Sequence, residues 1–154
     1  MIQRIQTLYL LLSVLFCISF HYLPMGHISA GQGLDYFTYG FVSVETGEVI
    51  SNATVSVLVL LLVMLLQLFA IVSFKNRPRQ AMLAQVSLVL LVLFAVSVLM
   101  SPDLFDMVPG KAENGRLEFT WNVFLVGIPW VLTYLAIRSI RKDEALVRSA
   151  DRMR

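Results

Sequence analysis

The chain alternates between long apolar runs and short polar segments, and this alternation predicts most of its architecture. Charged residues are absent from four windows, residues 5–34, 53–74, 81–100 and 120–137. A helix of about 20 residues rises about 30 Å, which is the thickness of the hydrocarbon core of a bilayer. Inside lipid, each backbone N–H and C=O must pair within its own segment, so these runs are expected to be helices. The pattern predicts four membrane-spanning helices, over about residues 2–23, 53–74, 79–100 and 120–138.

Composition favours a membrane protein over a soluble helical bundle. Hydrophobic residues make up 58% of the chain and charged residues only 14%, whereas charged residues are about a quarter of an average soluble domain. A surface helix of a soluble bundle carries a polar face at a period of 3.6 residues, and the second run, VSVLVLLLVMLLQLFAIVSF, has no such face. The apolar stretch from Ile5 to Leu23 is longer than the core of a secretory signal, so an uncleaved anchor is expected.

The uneven distribution of basic residues predicts an orientation. Ten of the 12 lie before the first run, between the second and third runs, or after the fourth. The loop at 24–52 has three acidic residues and no Lys or Arg, and the loop at 101–119 has four acidic and two basic residues. Since basic segments stay in the cytoplasm, both termini are expected there, with the two longer loops outside. The net charge of +2 is the small sum of these basic and acidic segments, and it gives no reason to expect nucleic acid as a partner.

The two outer loops carry signals for short strands. In the first, the β-prone residues of 36–44 and those from Val49 onward flank the turn 45–48, which contains Gly47, and this arrangement predicts a hairpin. In the second, Asn114-Gly115 is a strong hairpin signal. Two hairpins on one face can pair into a stable antiparallel cap.

The fold class predicted from these patterns is an all-α membrane protein with one domain over residues 1–154. It consists of an up-down bundle of four transmembrane helices, a small β-hairpin cap on the outer face, and a cytoplasmic C-terminal helical extension over 139–154.

Two glutamines interrupt the apolar runs on either side of the short connection 75–80. Gln67 and Gln85 fall at similar depth, and an unpaired amide is costly in lipid. We expect both to face the bundle and to bond each other or a backbone carbonyl, as a structural contact between helices rather than part of a substrate path.

In the fourth run, Gly127-Ile128-Pro129 predicts a kink.

The segment after Ile137, RSIRKDEALVRSADRMR, is expected to continue the fourth helix into the cytoplasm. Its basic residues suit contact with anionic lipid headgroups and the fixing of topology. Its acidic residues are interleaved at helical spacing, with an i,i+4 pair of Glu144 and Arg148, and that arrangement suits a helix that binds a partner protein. The predicted interaction residues are Arg138, Arg141, Lys142, Asp143, Glu144, Arg148, Asp151 and Arg152.

The residue types needed for catalysis or cofactor binding are scarce. Cys17 is the single cysteine, which excludes a thiol oxidoreductase that works through a cysteine pair. His21 and His27 are the two histidines, and the other predicted spans contain no His, Cys or acidic residue that would complete a metal or haem site. Asp103 and Asp106 suit a solvated turn better than a cation site. We therefore predict no enzyme activity, no catalytic or metal site and no cofactor.

The two ends of the chain carry a family resemblance. The start MIQRIQTLYLLL and the end IRKDEALVRSADRMR resemble those of a family of small bacterial four-helix membrane proteins, catalogued only as a domain of unknown function. The similarity extends over the whole chain, and its tail is the specific part. The resemblance implies residence in the bacterial inner membrane, and it implies no activity, substrate or catalytic residue.

These observations predict a structural or accessory subunit of the cytoplasmic membrane, with anionic headgroups as one partner and a protein bound at the tail or the outer cap as another. The alternative is a small transporter or channel component. It would be a homo-oligomer, since four helices without a buried charge hardly line a pore alone. An enzyme acting on lipids is a weaker third hypothesis.

Overall fold

The computed structural model describes residues 3–28, 33–104 and 117–152, with side chains over 5–28, 33–100 and 117–149. This part of the chain contains four α-helices, α1 (Gln3–Ser19), α2 (Thr54–Val72), α3 (Arg77–Leu104) and α4 (Gly127–Arg152). It also contains five strands, β1 (Gly26–Ile28), β2 (Leu34–Phe37), β3 (Gly40–Ser43), β4 (Val49–Asn52) and β5 (Leu117–Phe119). A 3₁₀ helix over Trp121–Val126 leads into α4.

The helices pack as a closed ring of antiparallel neighbours. α2 packs along α3 and α1 along α4, and contacts between α3 and α4 and between α1 and α2 complete the ring. Within the described residues, three helical segments are long and apolar enough to cross a membrane, and the apolar part of α1 is shorter. The short connection between α2 and α3 forms as predicted, with the Asn76 side chain accepting a hydrogen bond from the Arg79 N–H at 3.3 Å.

α1 ends at Ser19, before the limit that Pro24 sets on the first predicted span. The chain turns there through hydrogen bonds from the His21 N–H to the Ile18 carbonyl and from the Tyr22 N–H to the Ser19 carbonyl, both at 3.1 Å. Pro24 only limits how far the helix can extend, whereas the helix ends earlier, where these turns lead the chain toward β1.

The fourth predicted span is built differently from the expected kinked helix. Trp121–Val126 is 3₁₀ helix, and α-helix begins at Gly127, so Pro129 lies in the first turn of α4. A first-turn proline lacks an N–H that would have no intrahelical partner in any case, so no kink is needed there. The helix then continues through the tail to Arg152, as predicted.

The strands form one antiparallel sheet in the order β4-β3-β2-β1-β5. The hairpin around Gly47 is confirmed as β3–β4, but the β element is larger than the predicted hairpin cap, and the all-α description is corrected to a helical bundle with a five-stranded sheet. The Asn114-Gly115 hairpin lies outside the described residues, apart from the strand β5 that follows it. β1 was not predicted, and the β-prone stretch 36–44 forms parts of two strands rather than one, because the chain turns between Phe37 and Gly40.

A glycine fixes the tight turn between β2 and β3. Gly40 has a φ of 142°, and a Cβ there would lie 1.8 Å from the Ser51 carbonyl oxygen. Only glycine combines this backbone conformation with so close an approach of the neighbouring strand.

The sheet covers one end of the bundle with its apolar face. Met25, Ile28, Leu34, Tyr36 and Phe41 are buried in the same cluster as residues of all four helical regions. The Tyr36 hydroxyl donates a hydrogen bond to the Val98 carbonyl of α3 at 3.2 Å. The sheet is therefore an integral part of the core rather than an appendage.

Candidate functional site

A layer of buried polar side chains crosses the helical bundle between two apolar clusters. It takes one residue from each helix, Ser13, Gln67, Ser87 and Thr133, and each is fully buried. On the side of the sheet, the core continues through the helix residues Cys17, Leu60, Val63 and Leu91. On the opposite side it is smaller and rich in alanine, with Leu10, Ala70, Ala84 and Ala136.

Gln67 is the hub of this layer. Its Nε2 donates to the Ser13 hydroxyl at 2.9 Å and to the Thr133 hydroxyl at 3.0 Å. Thr133 donates in turn to the Pro129 carbonyl at 2.7 Å, and the Ser13 Oγ lies 3.3 Å from the same carbonyl. Among the described residues, the Gln67 Oε1 is buried without a hydrogen-bond partner. The network thus ties α2 to α1 and α4 through neutral groups.

The predicted pairing of the two glutamines is replaced by this network. Gln67 is buried in the bundle as expected, but its partners are hydroxyls of α1 and α4, and Gln85 is half-buried on α3. The prediction failed in the position around α3, where Gln85 does not lie on the face that is buried in the bundle. Ser87 supplies the α3 member of the layer, two residues and about 200° further around the helix, and its hydroxyl bonds the Ala84 carbonyl of its own helix at 2.9 Å.

Sequence reasoning missed Ser13 and Thr133 because single hydroxyl residues are common in apolar helices and often bond their own backbone. The one available signal was a polar residue inside an apolar run, since Ser13 lies within the window 5–34 and Thr133 within the window 120–137. All four side chains of the layer are uncharged, and three of them, Ser13, Gln67 and Thr133, are joined across the helices by hydrogen bonds.

The end of the bundle away from the sheet carries the predicted interaction residues. Here the tail of α4 lies against the start of α3, where Arg77 Nε is 3.3 Å from Asp143 Oδ2. The Arg77 and Asp143 side chains retain 25% and 13% of their exposure. Asp143 Oδ2 makes no aligned hydrogen bond, so the contact is an ion pair held by proximity. It fixes the tail to the connection between α2 and α3.

The predicted i,i+4 pair on the tail is confirmed, with Arg148 Nη2 donating to Glu144 Oε1 at 2.6 Å. The Arg148 side chain is 76% exposed, and an exposed pair of this kind contributes little to stability. The pair instead fixes the position of the Arg148 guanidinium, which it holds beside Glu144, one helical turn back along the tail.

A groove of about 560 Å³ lies between the tail and the α2–α3 connection. Its charged lining consists of Lys75, Arg77, Arg148 and Glu144. Its apolar lining consists of Phe74, Pro78 and Val147, with Asn76 beside them. We call this feature the basic groove. Lys75 and Arg77 were not among the predicted interaction residues, because about 70 positions separate them from the tail in sequence.

The remaining predicted interaction residues divide by position. Arg138, Arg141 and Lys142 are exposed on the tail and do not line the groove. We call Arg138, Arg141, Lys142 and the half-exposed Leu146 the outer face of the tail. Asp151 and Arg152 lie in the last turn of α4, beyond the described side chains.

The sheet end carries the two histidines. His27 Nδ1 lies 2.8 Å from Asp35 Oδ1 across β1 and β2, and both side chains are partly exposed. His21 packs against the rings of Tyr22 and Tyr39. Within the described residues, no group of three or more His, Cys, Asp or Glu side chains is placed to hold a metal ion. The side chains of Asp103 and Asp106 lie outside that part of the chain.

Comparison with known proteins gives a family and no activity. Among curated proteins, no match is found. A family model described as a domain of unknown function, DUF4293, matches residues 2–153. That range leaves out only Met1 and Arg154, so it includes nearly all of the two ends on which the resemblance was based, together with the bundle, the sheet and the tail. The chain therefore belongs to the DUF4293 family, a domain of unknown function.

Proposed function

We propose that the protein is a non-enzymatic, multi-pass accessory subunit of the cell inner membrane, with both termini in the cytoplasm, and that it holds a partner protein at the outer face of its tail. The observation that carries the membrane assignment is the apolar surface of the helices. On α2 the exposed large apolar residues include Leu58, Leu61, Leu62, Leu65, Leu68 and Phe69. On α3 they include Val86, Val89, Val92, Leu93, Val96 and Leu99. So continuous an apolar surface is unsuited to water and matches hydrocarbon.

α1 serves as the fourth span in this proposal. At 17 residues it is about 25 Å long, somewhat short of a bilayer core, and the turn that follows extends its reach. Its outward side chains, Ile5, Leu8, Leu11, Leu15 and Ile18, are each about half exposed. Its packing against α4 and α2 also places it inside the same ring.

The contrast between the two ends of the bundle supports the orientation. The end away from the sheet collects the described cations Lys75, Arg77, Arg79, Arg138, Arg141, Lys142 and Arg148. Cations flanking short connections favour retention in the cytoplasm. The sheet end would then be the outer face, and its described residues contain Asp35, Glu45, Glu48 and Glu118 but no Lys or Arg.

The form of the tail supports a docking role. It is one helix with α4, and the Arg77–Asp143 pair braces it against the α2–α3 connection. The outer face is therefore presented on a preorganised helix, which lowers the entropic cost of binding. A transporter formed by one copy is disfavoured, because an apolar cluster lies on each side of the neutral polar layer.

Crosslinking and pull-down from native membranes tests this proposal. The full-length protein is compared with an outer-face variant, Arg138→Gln with Lys142→Gln, and with a matched groove variant, Lys75→Gln with Arg148→Gln. Each variant loses two cations from the same end of the protein, so a general charge effect would be common to both. We expect a partner that the wild type and the groove variant retain and the outer-face variant loses. An identical set of crosslinked proteins in all three would contradict docking at the outer face.

A further inference from the structure

We propose that the basic groove binds the headgroup of an anionic phospholipid from the cytoplasmic leaflet. This inference rests on the proposed membrane orientation, and it concerns a different surface from the outer face of the tail. It assigns a lipid-binding site to residues of the α2–α3 connection and the inner side of the tail.

The groove lies at the level where lipid headgroups would be. α2 ends at Val72, and the groove begins two residues later at Phe74. Val72 and Phe74 are 72% and 48% exposed, so the apolar outer surface of α2 runs directly to the mouth of the groove. A phospholipid seated here would keep its acyl chains along α2 while its phosphate entered the groove.

The lining has the charge that such a headgroup requires. Three cations and Glu144 line the groove, and Asp143 lies beside Arg77, so the cations exceed the carboxylates by one, with Glu144 paired to Arg148. Within the described residues Lys75 is in no ion pair and is exposed. Arg77 contacts Asp143 through Nε, and a guanidinium has five N–H donors, more than this one contact uses. A phosphodiester would offset the excess positive charge and accept these donors.

The apolar part of the lining favours a lipid over an acidic peptide as the ligand of the groove. Phe74, Pro78 and Val147 lie beside the cations. The groove therefore offers a charged surface next to an apolar one, as a phospholipid with its headgroup and acyl chains requires. A volume of about 560 Å³ is within the usual range for small-molecule sites. Basic pockets between helices on the cytoplasmic side are a recurrent form of anionic lipid site.

Native mass spectrometry of the full-length protein tests this inference. The protein is released from nanodiscs that contain equal parts of phosphatidylglycerol and phosphatidylcholine. We expect wild type to retain a phosphatidylglycerol molecule in preference to phosphatidylcholine. The groove variant should lose that preference by about tenfold or more, since two of the three cations are gone. The outer-face variant, with the same loss of charge, should keep it.

One further double variant separates charge from folding. Lys75→Arg with Arg148→Lys keeps both charges, and it should retain phosphatidylglycerol as the wild type does. Equal retention of the two lipids by wild type, or unchanged retention in the groove variant, would overturn the lipid site. Loss of a crosslinked acidic protein from the groove variant with its lipid retention unchanged would assign the groove to that protein instead. Lipid binding and partner binding are lost in different variants, so the two proposals can fail separately.

Discussion

Gln67 shows how one side chain can organise the middle of an apolar bundle. Both of its N–H donors reach hydroxyls on neighbouring helices, and those hydroxyls lie 3.1 Å apart. In lipid, hydrogen bonds between helices contribute modestly to stability, about 0.6 kcal/mol on average. Removing an acceptor while leaving a donor buried costs more than the bond itself contributes. The network therefore specifies which faces of α1, α2 and α4 meet.

Ser13→Ala should lower the free energy of unfolding by about 1 kcal/mol, because it leaves one buried N–H of Gln67 without its acceptor. Ser87→Ala is the matched control, since Ser87 is equally buried in the same layer but bonds only its own helix. Its effect should be clearly smaller. Denaturation of the two variants in detergent micelles, followed by circular dichroism, measures both values. Equal destabilisation would contradict the assignment of Ser13 as a contact between helices.

At the scale of elements, the sheet joins the two loops that the sequence places on one side of the membrane. β5 comes from the second loop and pairs with β1 from the first, in the register His27 to Glu118. The Thr120 N–H also donates to the Met25 carbonyl at 2.9 Å, and the Asn122 side chain donates to the Pro24 carbonyl at 2.9 Å. These contacts hold the start of the fourth helical segment against the end of the first.

A cross-strand disulfide tests this pairing. In a Cys17→Ala background, His27→Cys with Glu118→Cys should oxidise readily, because facing residues of antiparallel strands have Cα atoms about 4.5–5.5 Å apart, within the range of a disulfide. His27→Cys with Phe119→Cys is the control, since the next residue along a strand points to the opposite face. Non-reducing electrophoresis and mass analysis detect the bond. Faster oxidation of the Phe119 pair would show that the register is wrong.

The elements differ in how far the sequence predicts them. The three long helices and the β3–β4 hairpin follow from apolar runs and from a glycine turn, which are local patterns. The pairing of β1 with β5 joins residues about 90 positions apart, and no local pattern encodes it. The same limit applies to the candidate site. The charges of the tail are visible in the sequence, whereas the groove needs Lys75 and Arg77, which the packing of α4 against α3 brings to it.

At the scale of the whole molecule, the two ends have different chemistry. One end is closed by a sheet with Tyr36 and Phe41 in its core, and the other is a basic surface braced by an ion pair. The apolar clusters and the neutral layer between them form the packed bundle that joins the two ends. In the proposed orientation, the surfaces that recognise partners and lipid are both cytoplasmic.

Labelling of single cysteines in intact cells tests this orientation most directly. Glu45→Cys, exposed in the turn between β3 and β4, and Lys142→Cys, exposed on the tail, lie at opposite ends of the protein. The native Cys17 is buried and should stay silent. A maleimide that cannot cross the membrane should label Glu45→Cys in intact cells, and it should label Lys142→Cys only after the membrane is permeabilised. Labelling of Lys142→Cys in intact cells, with Glu45→Cys protected, would contradict the orientation and the cytoplasmic assignment of both proposed surfaces.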